Sequence, residues 1–502
     1  MKNIVVCSDG TGNTAIKGRG TNVFKLFEAV DISEPPSADS TPAVAQVAFY
    51  DDGVGTQSFV PLKLLGGAAG WGLGRNVKEL YTAVARVYEP GDKLFLLGFS
   101  RGAFTVRTLA GMIARCGIVD VSRLPTHADL TEGVDRIYKA YRARYQTLLS
   151  RLLSGERGAD QIPDAGVPVV CDPVKLPNGR VEIEFLGVWD TVDAVGLPLH
   201  ISDIIDELFW RFKFPDPSLN PQIRCGCHAL SIDEERHSFA PVLWSEKNET
   251  TNRIEQVWFA GVHSNVGGGY PRQGISLVAL DWMMCKAELR GLRFLPAVRQ
   301  LYRELQNVDD KQYDPRTGLR VFYRWKPRDI LALCKKNNLH PKVHISVLQR
   351  IAHSTEGYAP GNLPPKCTIV DTIGGTTTQV RRDKLQKVLT HSHATRAGRA
   401  DLPLLDELSG WLKVGFASYY VLLATVVAAV ATFCWQLGRA WGADGNWLAL
   451  IGAAAAPVYQ SPWLWGGLLL SYAGAYVTDL YFSRTCSEFW HKAQPELKKA
   501  LS

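Results

Sequence analysis

The sequence predicts an α/β protein: a mostly parallel sheet covered by helices on both faces, followed by an apolar helical tail. Three observations predict it. Short apolar runs at residues 3–7, 45–50, 93–97, 181–189 and 255–262 each break into a glycine-rich or polar cluster, the pattern of strands buried on both sides. Helical patterns alternate with these runs, as crossover connections between parallel strands require. After Lys413 formal charge vanishes for more than twenty residues.

The first run ends in Ser8-Asp9-Gly10-Thr11-Gly12-Asn13, a tight turn, and a helical pattern follows over 23–29. The second ends in Asp51-Asp52-Gly53-Val54-Gly55 and the third in Gly98. Residues 125–151 are helical with one polar face, and 155–177, rich in Gly, Pro and Asp, have the composition of an insertion or lid. Residues 275–310 have a helical pattern, and 311–400 form a mixed, basic, loop-rich stretch. With 502 residues the chain has room for one large α/β domain, 1–400, and an appended region, 411–502.

The appended region is expected to be membrane-associated. Residues 415–438 carry no formal charge and are long enough to cross a hydrocarbon core of about 30 Å as a helix. A second candidate span is 463–482, and the apolar stretch 447–457 lengthens it or lies in the interface. Arg396, Arg399 and Lys413 precede the pair, and Arg484 and Lys492 follow it. This bias places both termini inside, with the larger domain on the cytoplasmic side of a bacterial inner membrane. Much of the formal excess of +7 sits just before the tail, at Arg381, Arg382, Lys384, Lys387, Arg396 and Arg399. Beside an anchor such charge suits anionic headgroups, and with no interleaved aromatics or reading helix, nucleic acid is not an expected partner.

Ten cysteines lie along the chain without framework spacing, and the first residues read as a strand rather than a signal peptide, so a reduced compartment is expected. Cys225-Gly226-Cys227-His228 has no second ligand pair at zinc-finger spacing and reads as buried thiols.

The chemistry concentrates at Leu94-Phe95-Leu96-Leu97-Gly98-Phe99-Ser100-Arg101-Gly102-Ala103, where an apolar strand runs through Gly-x-Ser-x-Gly into a helical pattern at 104–115. This is a nucleophile elbow in its required context, with glycines where side chains would strike the turn. A serine hydroxyl needs a histidine base and a carboxylate to orient it. His263 follows an apolar run and precedes Val266-Gly267-Gly268-Gly269, and Asp190 ends the run Phe185-Leu186-Gly187-Val188-Trp189. Asp193 and Asp233 are the rival acids. The order Ser, Asp, His is that of α/β-hydrolases. Arg101, with Gly10 or Thr11 of the first loop, would supply the N–H groups of an oxyanion hole. The first loop lacks the Gly-Lys-Ser/Thr of a phosphate cradle, and Gly66 to Gly74 lacks the spacing of a dinucleotide fingerprint. No metal or organic cofactor is expected.

Six motifs occur in order: Ser8 to Asn13, Tyr50 to Thr56, Gly98 to Ala103, Gly187 to Val192, Ala229 to Trp244 and Trp258 to Tyr270. Together they resemble the uncharacterised α/β-hydrolase domain family that includes phospholipase effectors of bacterial type VI secretion. The resemblance covers roughly 1–290. It implies an α/β-hydrolase fold, a Ser-Asp-His triad and lipid-esterase activity, with membrane lipid as substrate and anchor; a secretion or immunity partner is not identified. The apolar tail departs from what a freely delivered toxin needs. Two other readings compete with a lipid hydrolase: a tethered esterase for soluble acyl esters, and an inactive membrane-anchored scaffold.

Overall fold

The computed structural model describes residues 1–10, 20–33, 44–53, 68–143, 164–171, 181–192, 217–315, 325–372, 376–396, 401–440 and 447–502. Thr11, Asp193 and most of the insertion at 155–177 lie outside them. The principal sheet has eight strands: β1 (Lys2–Ser8), β2 (Ala45–Asp51), β3 (Lys93–Phe99), β6 (Glu182–Trp189), β7 (Gly226–Ser231), β8 (Ile254–Phe259), β9 (Lys342–His344) and β10 (Thr368–Val370). Their spatial order is β10-β9-β8-β7-β6-β3-β1-β2, and every described pairing among them is parallel. A separate antiparallel pair joins β4 (Ile118–Val119) to β5 (Val169–Cys171).

The chain leaves β1 for the edge strand β2, then returns to the other side of β1 as β3. That reversal makes β1 and β3 the switch point of the sheet, the position at which open parallel sheets commonly hold their ligands.

Fourteen helices are described: α1 (Asn22–Ala29), α2 (Ala68–Val87), α3 (Arg101–Cys116), α4 (His127–Ala143), α5 (His263–Gly267), α6 (Gly274–Glu288), α7 (Pro296–Leu305), α8 (Ile330–Lys336), α9 (Ile345–His353), α10 (Thr376–Ala394), α11 (Leu404–Glu407), α12 (Ser409–Ala440), α13 (Trp447–Tyr459) and α14 (Pro462–Leu501). Alternate strand residues face opposite layers, because the side-chain period is two. Ile4, Val6, Leu94 and Leu96 pack against Tyr81, Leu109, Ile113 and Ile137 of α2, α3 and α4. Their neighbours Val5, Cys7, Phe95 and Leu97 pack against Leu26 of α1 and Leu280, Trp282 and Met283 of α6. Helices therefore cover both faces, as the sequence predicts. The single helical stretch expected over 275–310 is two helices, α6 and α7, parted by the turn at Gly291, whose φ is +92°.

The tail is a helical hairpin. α12 and α14 pack along each other, with α13 between them in sequence. Small residues form the seam: side chains at Gly467 and Gly474 would strike Thr425 and Ser418, and Gly415 lies against Trp325. Ser409–Arg439 is the one helix, among the described residues, long and apolar enough to cross a membrane. The second candidate span falls in the first half of α14. Its second half does something else: Trp490, Ala493 and Leu497 are buried with Val343, Leu348, Ile351, Leu385 and Leu389 of the sheet domain. The domain and the appended region thus share one core cluster.

Candidate active site

Ser100 stands between β3 and α3 with φ +58° and ψ −122°, a backbone conformation that a non-glycine residue holds only under strain from its surroundings. The glycines explain how the turn closes. A Cβ at Gly98 would meet Gly102 O and Ala103 backbone atoms at 2.6–2.7 Å, and one at Gly102 would run into the Ser8 and Asp9 carbonyls. The tip of β1 therefore sits against the first turn of α3. Ser100 N–H donates to Trp189 O at 3.0 Å, which holds the serine beside the end of β6.

Asp190 begins where β6 stops, also at positive φ (+39°). Its carboxylate is buried and reaches His263, the first residue of α5, with Oδ2 2.6 Å from Nδ1. The imidazole lies between two rings, Phe99 at 4.6 Å and Phe239 at 5.0 Å between centroids. Phe99 is the residue before Ser100, and its ring fills the space a side chain at Gly267 would need. Three strand ends, β3, β6 and β8, thus bring Ser100, Asp190 and His263 to one edge of the sheet. The Asp190–His263 contact is made. His263 Nε2 is buried and has no hydrogen-bond partner among the described residues, so no hydrogen bond joins it to Ser100.

Burial lowers the His263 pKa, against the opposing pull of Asp190. Burial alone would raise that of Asp190, but the Arg328 guanidinium, with His263, holds it well below the usual carboxylate range.

Of the other residues singled out, Arg101 is the first residue of α3, directly after Ser100. Gly10 N–H donates to Asp9 Oδ1 at 2.6 Å and is engaged there. Asp233 does not approach His263 through any described hydrogen bond. Its Oδ2 accepts from Gly261 N–H at 2.6 Å and from the Tyr358 hydroxyl at 3.0 Å, and burial pushes its pKa up to about 6. Cys225 and Cys227 are free, 3.8 Å apart, and no metal-binding cluster of His, Cys, Asp and Glu is present among the described residues.

Sequence reasoning missed the frame around the pair. Ser231 N–H and Oγ donate to the two Asp190 oxygens at 3.0 and 3.1 Å. Glu234 Oε2 accepts the His263 N–H at 3.2 Å and pairs with Arg236, which stacks on Phe239. Arg328 binds Asp190 with both terminal nitrogens. The motif from Ala229 to Trp244 supplies most of this frame, so its place in the family pattern was the available signal. Arg328 carried none. On the other side, Asn22 Nδ2 donates to Val266 O and Ser276 O, both at 2.8 Å, and Thr21 Oγ1 to Asp9. The start of α1 therefore ties the first loop to the helix that bears His263.

Comparison with known proteins agrees with this arrangement of motifs. Residues 2–286 match the family described as type VI secretion system phospholipase effector Tle1-like, catalytic domain. A protein of Saccharomyces cerevisiae (strain ATCC 204508 / S288c), "Uncharacterized protein YEL023C", is 26% identical over 260 residues, covering 49% of this chain and 33% of its own length. The chain thus spans about a third of the curated relative it matches. Among solved structures, the Tle1 effector bound to the VgrG spike of the type VI secretion system aligns at 13% identity and TM-score 0.33, over 64% of this chain and 78% of that one. An uncharacterized protein from Pseudomonas aeruginosa aligns at 16% and 0.32, over 94% and 62%. With more than half its length matched, the chain belongs to the family of Tle1-like type VI secretion phospholipase effector catalytic domains.

Proposed function

We propose that this protein is a serine ester hydrolase that cleaves acyl esters of membrane phospholipid, with Ser100, His263 and Asp190 as its triad. The observation that carries the reading is the buried Asp190–His263 contact of 2.6 Å set beside a serine on a strained strand-to-helix turn. Asp190 fixes the tautomer with the proton on Nδ1, which leaves Nε2 to accept. The relay is completed when Ser100 Oγ donates to Nε2, a contact of the kind that commonly tightens only when substrate is bound.

In the reaction Ser100 Oγ adds to the ester carbonyl while its proton passes to His263 Nε2. The tetrahedral oxyanion is held by the Arg101 N–H at the start of α3, with the Gly10–Thr11 loop as second donor once Gly10 is released from Asp9. The imidazolium returns its proton to the leaving alkoxide, so a lysolipid departs and the acyl group stays on Oγ. Water, deprotonated by His263, then releases the fatty acid and restores the serine. Asp193 and Asp233 take no part in this scheme. The chemistry calls for no metal or cofactor.

The tail places the enzyme at its substrate. α12 has the length and composition of a span, and Val427, Val430 and Trp435 on it are exposed, as are Trp463, Leu469, Leu470, Tyr472 and Tyr476 on α14. Apolar surface on this scale is covered by lipid in the reading proposed here. The sheet domain then sits on the cytoplasmic side, where the basic flank meets anionic headgroups.

Fatty-acid release from defined liposomes by the full chain and by Ser100→Ala tests the reading. We expect loss of all but a trace of activity in the variant, and labelling of Ser100 by a fluorophosphonate in the parent only. Equal release by both proteins excludes the mechanism. Activity confined to short soluble esters selects a tethered esterase, and absence of both labelling and activity selects a scaffold.

A further inference from the structure

Arg328 lies beyond the residues that match the family, yet it touches the acid of the triad. Nη1 is 2.6 Å from Asp190 Oδ1 and Nη2 is 2.9 Å from Oδ2, a two-pronged pairing of the kind only a guanidinium makes. Nη1 also donates toward Ser231 O and Oγ, at 2.7 and 2.6 Å, and Nη2 to Phe239 O at 2.6 Å, while Nε has no hydrogen-bond partner among the described residues. The side chain is almost wholly buried. Its backbone is fixed as well, since Asn362 Nδ2 donates to Arg328 O at 3.0 Å and to Ile232 O at 2.9 Å.

Resting on the triad proposed above, we infer that Arg328 is a positioning residue that offsets the charge of Asp190, so that His263 waits as a neutral base. A carboxylate sealed from water must be compensated or protonated. Without Arg328 the nearest available cation is His263 itself. The imidazole would then hold its proton as an ion pair with Asp190, and an imidazolium cannot accept the proton of Ser100. With Arg328 present, Asp190 is paired already, and Oδ2 keeps a lone pair that orients Nδ1–H.

The other charged and titratable groups around His263 do not replace it. Glu234 and Arg236, on the turn after β7, form a buried pair with each other. His228, on β7, accepts the Thr191 N–H at 3.1 Å and is kept neutral by burial, with its pKa at about 3. Arg107 of α3 donates to Val242 O and stacks on Trp244. Phe99 and Phe239 add only rings. Among the described residues, Arg328 is the one cation bound to both Asp190 oxygens.

The test compares Arg328→Met and Arg328→Lys in the full chain in detergent micelles. Two readouts are taken: the pH dependence of kcat/KM on a lipid ester, and the titration of the His263 ring followed by NMR with carbon-labelled histidine. The signal is assigned by its loss in His263→Gln. In Arg328→Met the acid limb and the ring midpoint should both move up by about 1–2 pH units, while Arg328→Lys stays within a few tenths of the parent. A structural role alone would lower thermal stability and the plateau rate without moving either midpoint. A folded Arg328→Met whose midpoint matches the parent overturns the inference.

If Arg328→Met does not fold, the parent decides the matter. A His263 midpoint below the ordinary value of about 6.5 is expected, and one above about 7, as an uncompensated partner would give, overturns the inference. The ring titration needs no turnover. A parent that neither hydrolyses ester nor labels at Ser100 sinks the triad reading, and the midpoints still report on the charge at Asp190.

Discussion

Asp190 accepts from His263, Ser231 and both arms of Arg328 at once, so its oxygens have no spare capacity for a donor that points the wrong way. Asp190→Asn keeps the shape but turns an amide NH₂ toward Arg328 or His263. We expect kcat to fall by about 10³–10⁴-fold with little change in KM, read in the same liposome assay. Much of this site was legible in the sequence. Ser100, Asp190 and His263 each end an apolar run, and a parallel sheet carries such ends to one edge. Arg328 was not legible, because its partner is 138 residues away and no local pattern marks an arginine as crossing that distance. The engaged N–H of Gly10 was equally hidden, since only coordinates show where Asp9 turns its carboxylate.

Longer strands declared themselves through unbroken apolar runs, whereas β9 and β10 have three residues each, too few for a period. Cys225-Gly226-Cys227-His228 reads in sequence as buried thiols without being assigned to a strand, whereas Gly226 to His228 begin β7. In the structure Cys227 and His228 are simply buried strand residues on alternate faces. The helical hairpin yields a prediction of its own. Gly474 lies against Ser418 with no room for a side chain, so Gly474→Leu must push α12 from α14. A loss of about 1–3 kcal/mol is expected, seen as a lower melting temperature in detergent, while fluorophosphonate labelling of Ser100 persists below that temperature. At the other end of α14, Trp490 is buried and its indole N–H donates to Pro360 O at 2.8 Å. Trp490→Ala should cost about 3–5 kcal/mol in denaturant unfolding of the sheet domain, an effect that a freely appended tail would not produce.

The whole molecule should be acid-sensitive, and the sign follows from its buried imidazoles. Burial lowers the pKa of His228 and His344 to about 3, and that of His393, with help from Arg396, to about 4. Unfolded, each titrates near 6.5. Between these values the unfolded chain takes up protons that the folded chain refuses, so stability is full above about pH 6.5 and falls as pH drops toward 3. Asp233 opposes this. Its pKa, pushed up to about 6, lets the folded chain bind a proton earlier than the unfolded one, which favours folding in that narrower window. Three histidines outweigh one aspartate by two protons, or about 2–3 kcal/mol per pH unit at the steepest. Melting temperatures should therefore drop steeply from pH 6.5 to 4, and a flat profile there would contradict the assignment.

α14 runs without interruption for 40 residues, about 60 Å, from the exposed apolar hairpin into the sheet domain's interior. Trp325, three residues before Arg328, is wedged at its base between Phe416 and Phe482. A stiff mast of this kind has no swivel. If the hairpin is embedded, the catalytic mouth keeps one tilt and one height above the bilayer, and each new substrate must arrive by gliding within the leaflet. Turnover would then track the mole fraction of cleavable lipid in the surface rather than its bulk concentration, so diluting vesicles in buffer should leave the rate per enzyme unchanged while diluting substrate among inert lipid should not.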